Sequence, residues 1–120
     1  MFGAFPKDDG RMRWTRHVKN KMLFYGLSAQ RIKRVIASPD RQETGIAERT
    51  VAAMQRVKHK KRAEEIWVMY QHERAQSKGH QSRFKGQRKI VLISAWRYPG
   101  LTKPGAPIPV PDDILEALST

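Results

Sequence analysis

Lys89-Ile90-Val91-Leu92-Ile93-Ser94-Ala95-Trp96-Arg97 is the most apolar run in the chain, and its reading decides the fold. A strand with one wet face alternates polar and apolar residues. This run does not, so it belongs at the centre of a sheet with both faces covered. Pro99 stops it. Even from Ile90 to Trp96 it is far short of the roughly 20 apolar residues that span a bilayer as a helix. Glu64 to Gln71 reads as a second strand. Ile66, Val68 and Tyr70 take one face, and Trp67 and Met69 the other, with Trp67 assigned to the core. Arg41 to Ile46 reads as an outer strand. Ala47 to Val57 stays open between two readings. Its Ala, Met, Glu and Gln favour a helix, while Val51, Ala53 and Gln55 alternate with Ala52 and Met54 as in a strand. We read it as extended.

Ahead of the strands the grammar is helical. Thr15 is an N-cap for a helix over about residues 16–25, with Val18, Met22 and Tyr25 at i, i+4 and i+7 as its buried stripe. Gly26 suits the C′ position. Ser28 caps a second helix to about Ala37, whose Ile32, Val35 and Ile36 face inward while Arg31, Lys33 and Arg34 point elsewhere. Pro39 ends it. Residues 104–111 are Pro-rich and extended, and Asp112 caps a last short helix with Ile114, Leu115 and Leu118. Helices first and strands after define an α+β class. We expect two N-terminal helices packed on a roughly four-stranded antiparallel sheet. Residues 1–10 read as a flexible leader without an apolar signal core. Residues 11–98 form the domain, 73–88 is a mobile basic loop within it, and 99–120 is a Pro-rich extension with a short final helix.

The charge is lopsided. The net charge is +13 in 120 residues, and there is no Cys. From Gly10 to Pro39 there are eight basic residues and no acid, and from Arg74 to Pro111 there are eight more, again with no acid. One-signed charge on this scale repels itself in a compact chain, and phosphate is a ready counter-surface. The alternative is a solvated basic face that serves solubility. Absence of Cys excludes disulfides and thiolate zinc sites and fits a reducing cytoplasm. No HExxH, no carboxylate cluster and no His pair at helical ligand spacing appears, so no metal or other cofactor is expected. The charge is not confined to an amphipathic helix, which speaks against a membrane surface.

Arg13-Trp14-Thr15-Arg16-His17, Met22, Gly26-Leu27-Ser28 and Ser38-Pro39-Asp40 together resemble the start of a family of small bacterial toxin-like domains related to BrnT-type and RelE-type ribonuclease toxins. Its members close on an apolar strand followed by an aromatic or basic residue, here Ile90 to Tyr98. The resemblance covers about residues 11–98. Tyr25 stands where the family's Arg-Gly-Ile-Ser turn begins with Arg, and the basic stretch at 73–88 and the Pro-rich tail look like additions. The resemblance implies a barnase, colicin and RelE type of nuclease fold. Such enzymes cut RNA without metal, by attack of the ribose 2′-OH on the adjacent phosphate, at a site on the exposed sheet face near the helices. Many are held silent by an antitoxin.

That chemistry needs a base, an acid and cations around the phosphate. His17 matches the family's helix-one His and titrates near neutrality. Lys21, four residues on, would favour its neutral form. The competing reading is a His beside the buried stripe, bonded to a backbone carbonyl. Arg97 and Tyr98 end the central strand and would clamp phosphate and stack on a base, or else simply pack there. Tyr70 and Gln71 are expected beside Arg97. Lys58, Lys60, Lys61, Arg62, Lys85, Arg88 and Lys89 are the expected grip on the nucleic-acid backbone, with His59, His72 and His80 in or beside the basic loops. The expectation is an RNA-binding protein of the cytoplasm, ribosome-associated or paired with an acidic antitoxin, and a metal-independent endoribonuclease if active. The rival readings are a non-catalytic RNA- or DNA-binding module, or a structural protein that binds an acidic partner.

Overall fold

A computed structural model describes residues 6–58, 61–73 and 89–118. The order is β1 (Met12–Trp14), α1 (Arg16–Tyr25), α2 (Ala29–Ala37), β2 (Arg41–Thr44), β3 (Thr50–Arg56), β4 (Glu64–Glu73), β5 (Lys89–Pro99) and α3 (Asp112–Leu118). The class is α+β, and the sheet order is β1-β5-β4-β3-β2.

The helices start and stop where local chemistry places them. Thr15 accepts from Val18 N and caps α1, and Gly26 closes it with φ 66°, a left-handed conformation that favours glycine. Ser28 accepts from Arg31 N and caps α2. Val18, Met22, Ile32 and Val35 join Ala53, Ile66, Val68, Leu92 and Ala95 in a core between the helices and one sheet face. The ambiguous segment after Ala47 contains strand β3, which pairs with both β2 and β4.

The expected four-stranded antiparallel sheet is corrected to a five-stranded mixed one. The additional strand, β1, runs parallel to β5, with Met12, Arg13 and Trp14 opposite Ile90, Val91 and Leu92. Three residues are too few to show alternation, so only tertiary pairing makes them a strand. The residues before it are tied down. Asp9 Oδ1 accepts from Arg11 N and Met12 N, and Asp8 Oδ1 accepts from Trp14 N. The expected flexible leader therefore lies partly in this turn and partly, at residues 1–5, outside the described residues. The basic loop expected at 73–88 lies outside them too, apart from Glu73, which ends β4.

β5 is covered on both faces, as its composition requires, but the middle strand of the sheet is β4; β5 lies between β4 and the short β1, which pairs with it only at Ile90–Leu92. β5 carries one irregularity. Met69 pairs with Ser94 but Tyr70 with Leu92, so Ile93 is an extra residue in the ladder. The bulge places Leu92 and Ala95 on the helical face and leaves Ser94 on the face of Trp96.

That second face is closed by the chain's own C-terminal segment. Trp67 and Trp96 lie opposite each other and stack at 6.2 Å with rings 7° from parallel. Ala52, Met54, Met69 and Ile114 are buried with them, and Ile108, Val110 and Leu118 pack against the cluster. Gly100, with φ 142°, turns the chain off β5; a Cβ there would meet the Tyr98 ring at 3.2 Å. A buried polar network then straps the segment down. Glu65 accepts from Trp67 Nε1 at 3.0 Å and from Thr102 N at 2.8 Å. Arg41 donates to Thr102 Oγ1, Glu43 Oε2 and the Ala106 carbonyl, with its guanidinium 5.3 Å from the Trp67 ring. Every member of this network has a partner, which is the condition for a buried polar group to be tolerated.

Candidate functional site

α1 lies against β5 at the level where β1 has ended. Residues 17, 21 and 25 share one side of it, since four residues make about one helical turn. This side meets both the second sheet face and α3. His17 Nε2 lies 2.9 Å from Ser94 Oγ, and Ser94 is fully buried. Lys21 Nζ is paired with Asp113 Oδ2 of α3. Tyr25 packs against both core clusters. The structure thus brings His17 and Lys21 together, as expected, and adds Ser94 and Asp113.

The electrostatics keep His17 neutral. Burial is the main cause of its lowered pKa, the Lys21 charge adds to it, and Asp113 partly opposes both. Neutral imidazole is the form a general base requires. Its partner is a side-chain hydroxyl, not the backbone carbonyl of the competing reading. Ser94 is itself too buried to meet a large substrate.

Arg97 and Tyr98 do not act together. Consecutive strand residues point to opposite faces. Arg97 faces the helices, where Nε donates to Tyr25 O at 2.7 Å, Nη2 to Gly26 O at 3.2 Å and Nη1 to Glu64 Oε1 at 2.9 Å. It satisfies the C-terminal carbonyls of α1, a structural task that sequence reading did not anticipate. Tyr98 lies on the other face, with the tryptophans. The expected neighbours of Arg97 are corrected as well. Ile66 stands opposite it, while Tyr70 and Gln71 stand opposite Leu92 and Val91. In an antiparallel pair the end of one strand meets the start of the other. Replacement Arg97→Ala should lower stability by about 1–3 kcal/mol by freeing those carbonyls. A thermal melt checks it, and an unchanged melt with weakened RNA binding would return Arg97 to the phosphate-clamp role.

The proposed backbone-gripping residues are spread out. Lys58, Lys61 and Arg62 are exposed at the β3–β4 connection. Lys89 opens β5 at the opposite end of the sheet, roughly 30 Å away at the usual strand rise. Lys60, Lys85, Arg88, His59 and His80 lie outside the described residues. One surface residue escaped sequence reading. Phe24 is 75% exposed on α1, with Lys21 Nζ 5.5 Å from its ring and the Tyr25 ring edge-on at 4.8 Å. Its position off the Val18–Met22 stripe was the available signal.

Among the described residues no group of three or more His, Asp or Glu is placed to hold a metal ion. No helix among them is long and apolar enough to cross a membrane. No protein-family model matches the chain, and no curated protein or solved structure matches it.

Proposed function

We propose that this domain binds RNA, chiefly single-stranded, along the outer surface of its helical layer. The observation that carries this reading is the sign of that surface. Residues 10–39 hold no carboxylate, and they fold into β1, α1 and α2, with Arg11, Arg13, Arg16, Lys33 and Arg34 exposed. Phe24, on α1 beside Lys21, is an exposed aromatic, the kind of group on which an unpaired base stacks. The protein is then cytoplasmic, and an acidic antitoxin would compete for the same cations.

Fluorescence titration with a short labelled RNA tests it. The log of the binding constant should fall linearly with the log of salt, by about 0.7 per phosphate neutralised. Phe24→Ala should weaken binding by about 1–3 kcal/mol. The same strand as DNA reports whether the 2′-OH is read. Absence of binding at low salt would end this reading.

A second reading, metal-independent ribonuclease action, is favoured by one observation: His17 is held neutral beside Lys21. The 2′-OH would lose its proton to His17 as it attacks the adjacent phosphate, the P–O5′ bond would break with the 5′-oxygen taking a proton from water, and a 2′,3′-cyclic phosphate would result while the His17 imidazolium returns its proton to the hydroxide. Cleavage in EDTA of RNA but not of its 2′-deoxy counterpart tests it. An RNA that is bound and left intact would restrict the protein to binding.

A further inference from the structure

Arg31 occupies an unusual place. It lies on α2 one turn before Arg34, so both emerge on one side of the helix. The backbone of that side is held to the sheet by Gln55 Nε2, which donates to Arg34 O and Ser38 O. Arg31 Nε is buried and has no acceptor among the described residues. A buried guanidinium nitrogen without a partner is costly, and such groups are rare in folded proteins.

The surrounding charges do not resolve this. Arg34 and Arg97 add positive charge near Arg31, and Asp40 and Glu64 are the carboxylates within its field. Both carboxylates are engaged elsewhere, Glu64 with Arg97 Nη1 and Asp40 with Arg56 N. Burial and the two neighbouring arginines hold Arg31 below the ordinary guanidinium range. Three guanidinium groups therefore face two carboxylates at this end of the sheet. The β3–β4 connection, with Lys61 and Arg62 exposed ahead of Glu64, opens at the same end.

We infer that Arg31 and Arg34 form an anion subsite that takes one phosphodiester of the bound RNA on the outward edges of their guanidinium groups, Arg31 being half-buried and Arg34 exposed. Guanidinium forks match the geometry of phosphate oxygens, so two of them a turn apart can hold one phosphate from two directions. The Arg97 guanidinium, held by the C-terminal carbonyls of α1 and by Glu64, also acts on Arg31. As to the phosphate's being part of an RNA, the inference rests on the RNA-binding reading. The subsite itself does not.

The test has two arms on the full-length protein. In the first, inorganic phosphate is titrated while the arginine Nε–H signals are followed by ¹H–¹⁵N NMR, with chloride at matched ionic strength as control. The Arg31 signal should move saturably with phosphate and not with chloride. In the second, RNA affinity is measured for Arg31→Gln/Arg34→Gln and for the charge-preserving Arg31→Lys. The double variant should bind roughly tenfold or more weakly, the scale of one lost charge-assisted contact. Its salt slope should fall by about 0.7, the value for one phosphate no longer neutralised. Arg31→Lys should also weaken binding, because it keeps the charge and loses the fork. Arg31→Lys also serves where the double variant fails to fold. A phosphate-insensitive Arg31 signal, or unchanged RNA affinity in both variants, would overturn the subsite and leave RNA binding standing. A saturable phosphate shift in a protein that binds no RNA would keep the subsite and overturn the RNA reading.

Discussion

Ile114→Ala should lower the stability of the whole domain by about 2–5 kcal/mol, the usual range for truncating a buried Ile. A seven-residue helix has little stability of its own, so α3 stays helical because Ile114 is docked. Ile114 is fully buried against the cluster that holds Trp67, Trp96, Met54 and Met69. Opening that contact wets two stacked indoles as well as leaving a cavity. A chemical melt gives the stability, and tryptophan emission should shift to the red before global unfolding. An unchanged melt and emission would mean that the C-terminal segment only rests on the sheet. The Glu65–Thr102–Arg41 network upstream of α3 argues against that outcome, since it pins the segment independently.

His17→Ala carries the second large effect. In the ribonuclease reading it should reduce cleavage by roughly 10²–10⁴-fold, the usual contribution of a general base. RNA affinity should hardly change, because a neutral imidazole supplies no charge to the phosphates. A pH series adds a readout that cleavage alone lacks. The folded-state pKa of His17 lies below its ordinary value of 6.5. Between the two values the unfolded chain binds more protons than the folded one, so this residue's contribution to stability is full above 6.5 and is lost as pH falls from there through the folded pKa. His17→Ala should flatten that segment of the stability profile. If the profile is unchanged, the imidazole is not desolvated as the structure places it. If the profile flattens in a protein that leaves RNA intact, His17 and Ser94 form a packing contact and no more.

The covered second face also bears on the resemblance to ribonuclease toxins. That resemblance implies chemistry on an exposed sheet face near the helices. Here one face lies under α1 and α2 and the other under the C-terminal segment, which read from sequence as an addition.

What sequence could reach was local. The caps Thr15 and Ser28, the glycine that ends α1, the stripes of both helices and the two faces of β4 all depend on groups a few residues apart. Their physics is complete in a short window. The class of the fold, the covering of both faces of β5 and the burial of Trp67 followed from apolar runs too continuous for an exposed strand. Other features depended on partners far along the chain. Met12–Trp14 is a strand only because β5 lies alongside. Arg97 is a helix cap because α1 happens to end beside it, and Tyr98, its neighbour, faces away because a strand alternates. Ser94 meets His17 from 77 residues away. Asp113 meets Lys21, and Arg31 Nε is buried without an acceptor among the described residues, through packing between segments that no sequence window contains. The sequence by itself determined which segments form helices and strands and the sign of the charge they carry. The tertiary structure alone decided which charges are already satisfied within the protein, because ion pairing and burial depend on distances in space.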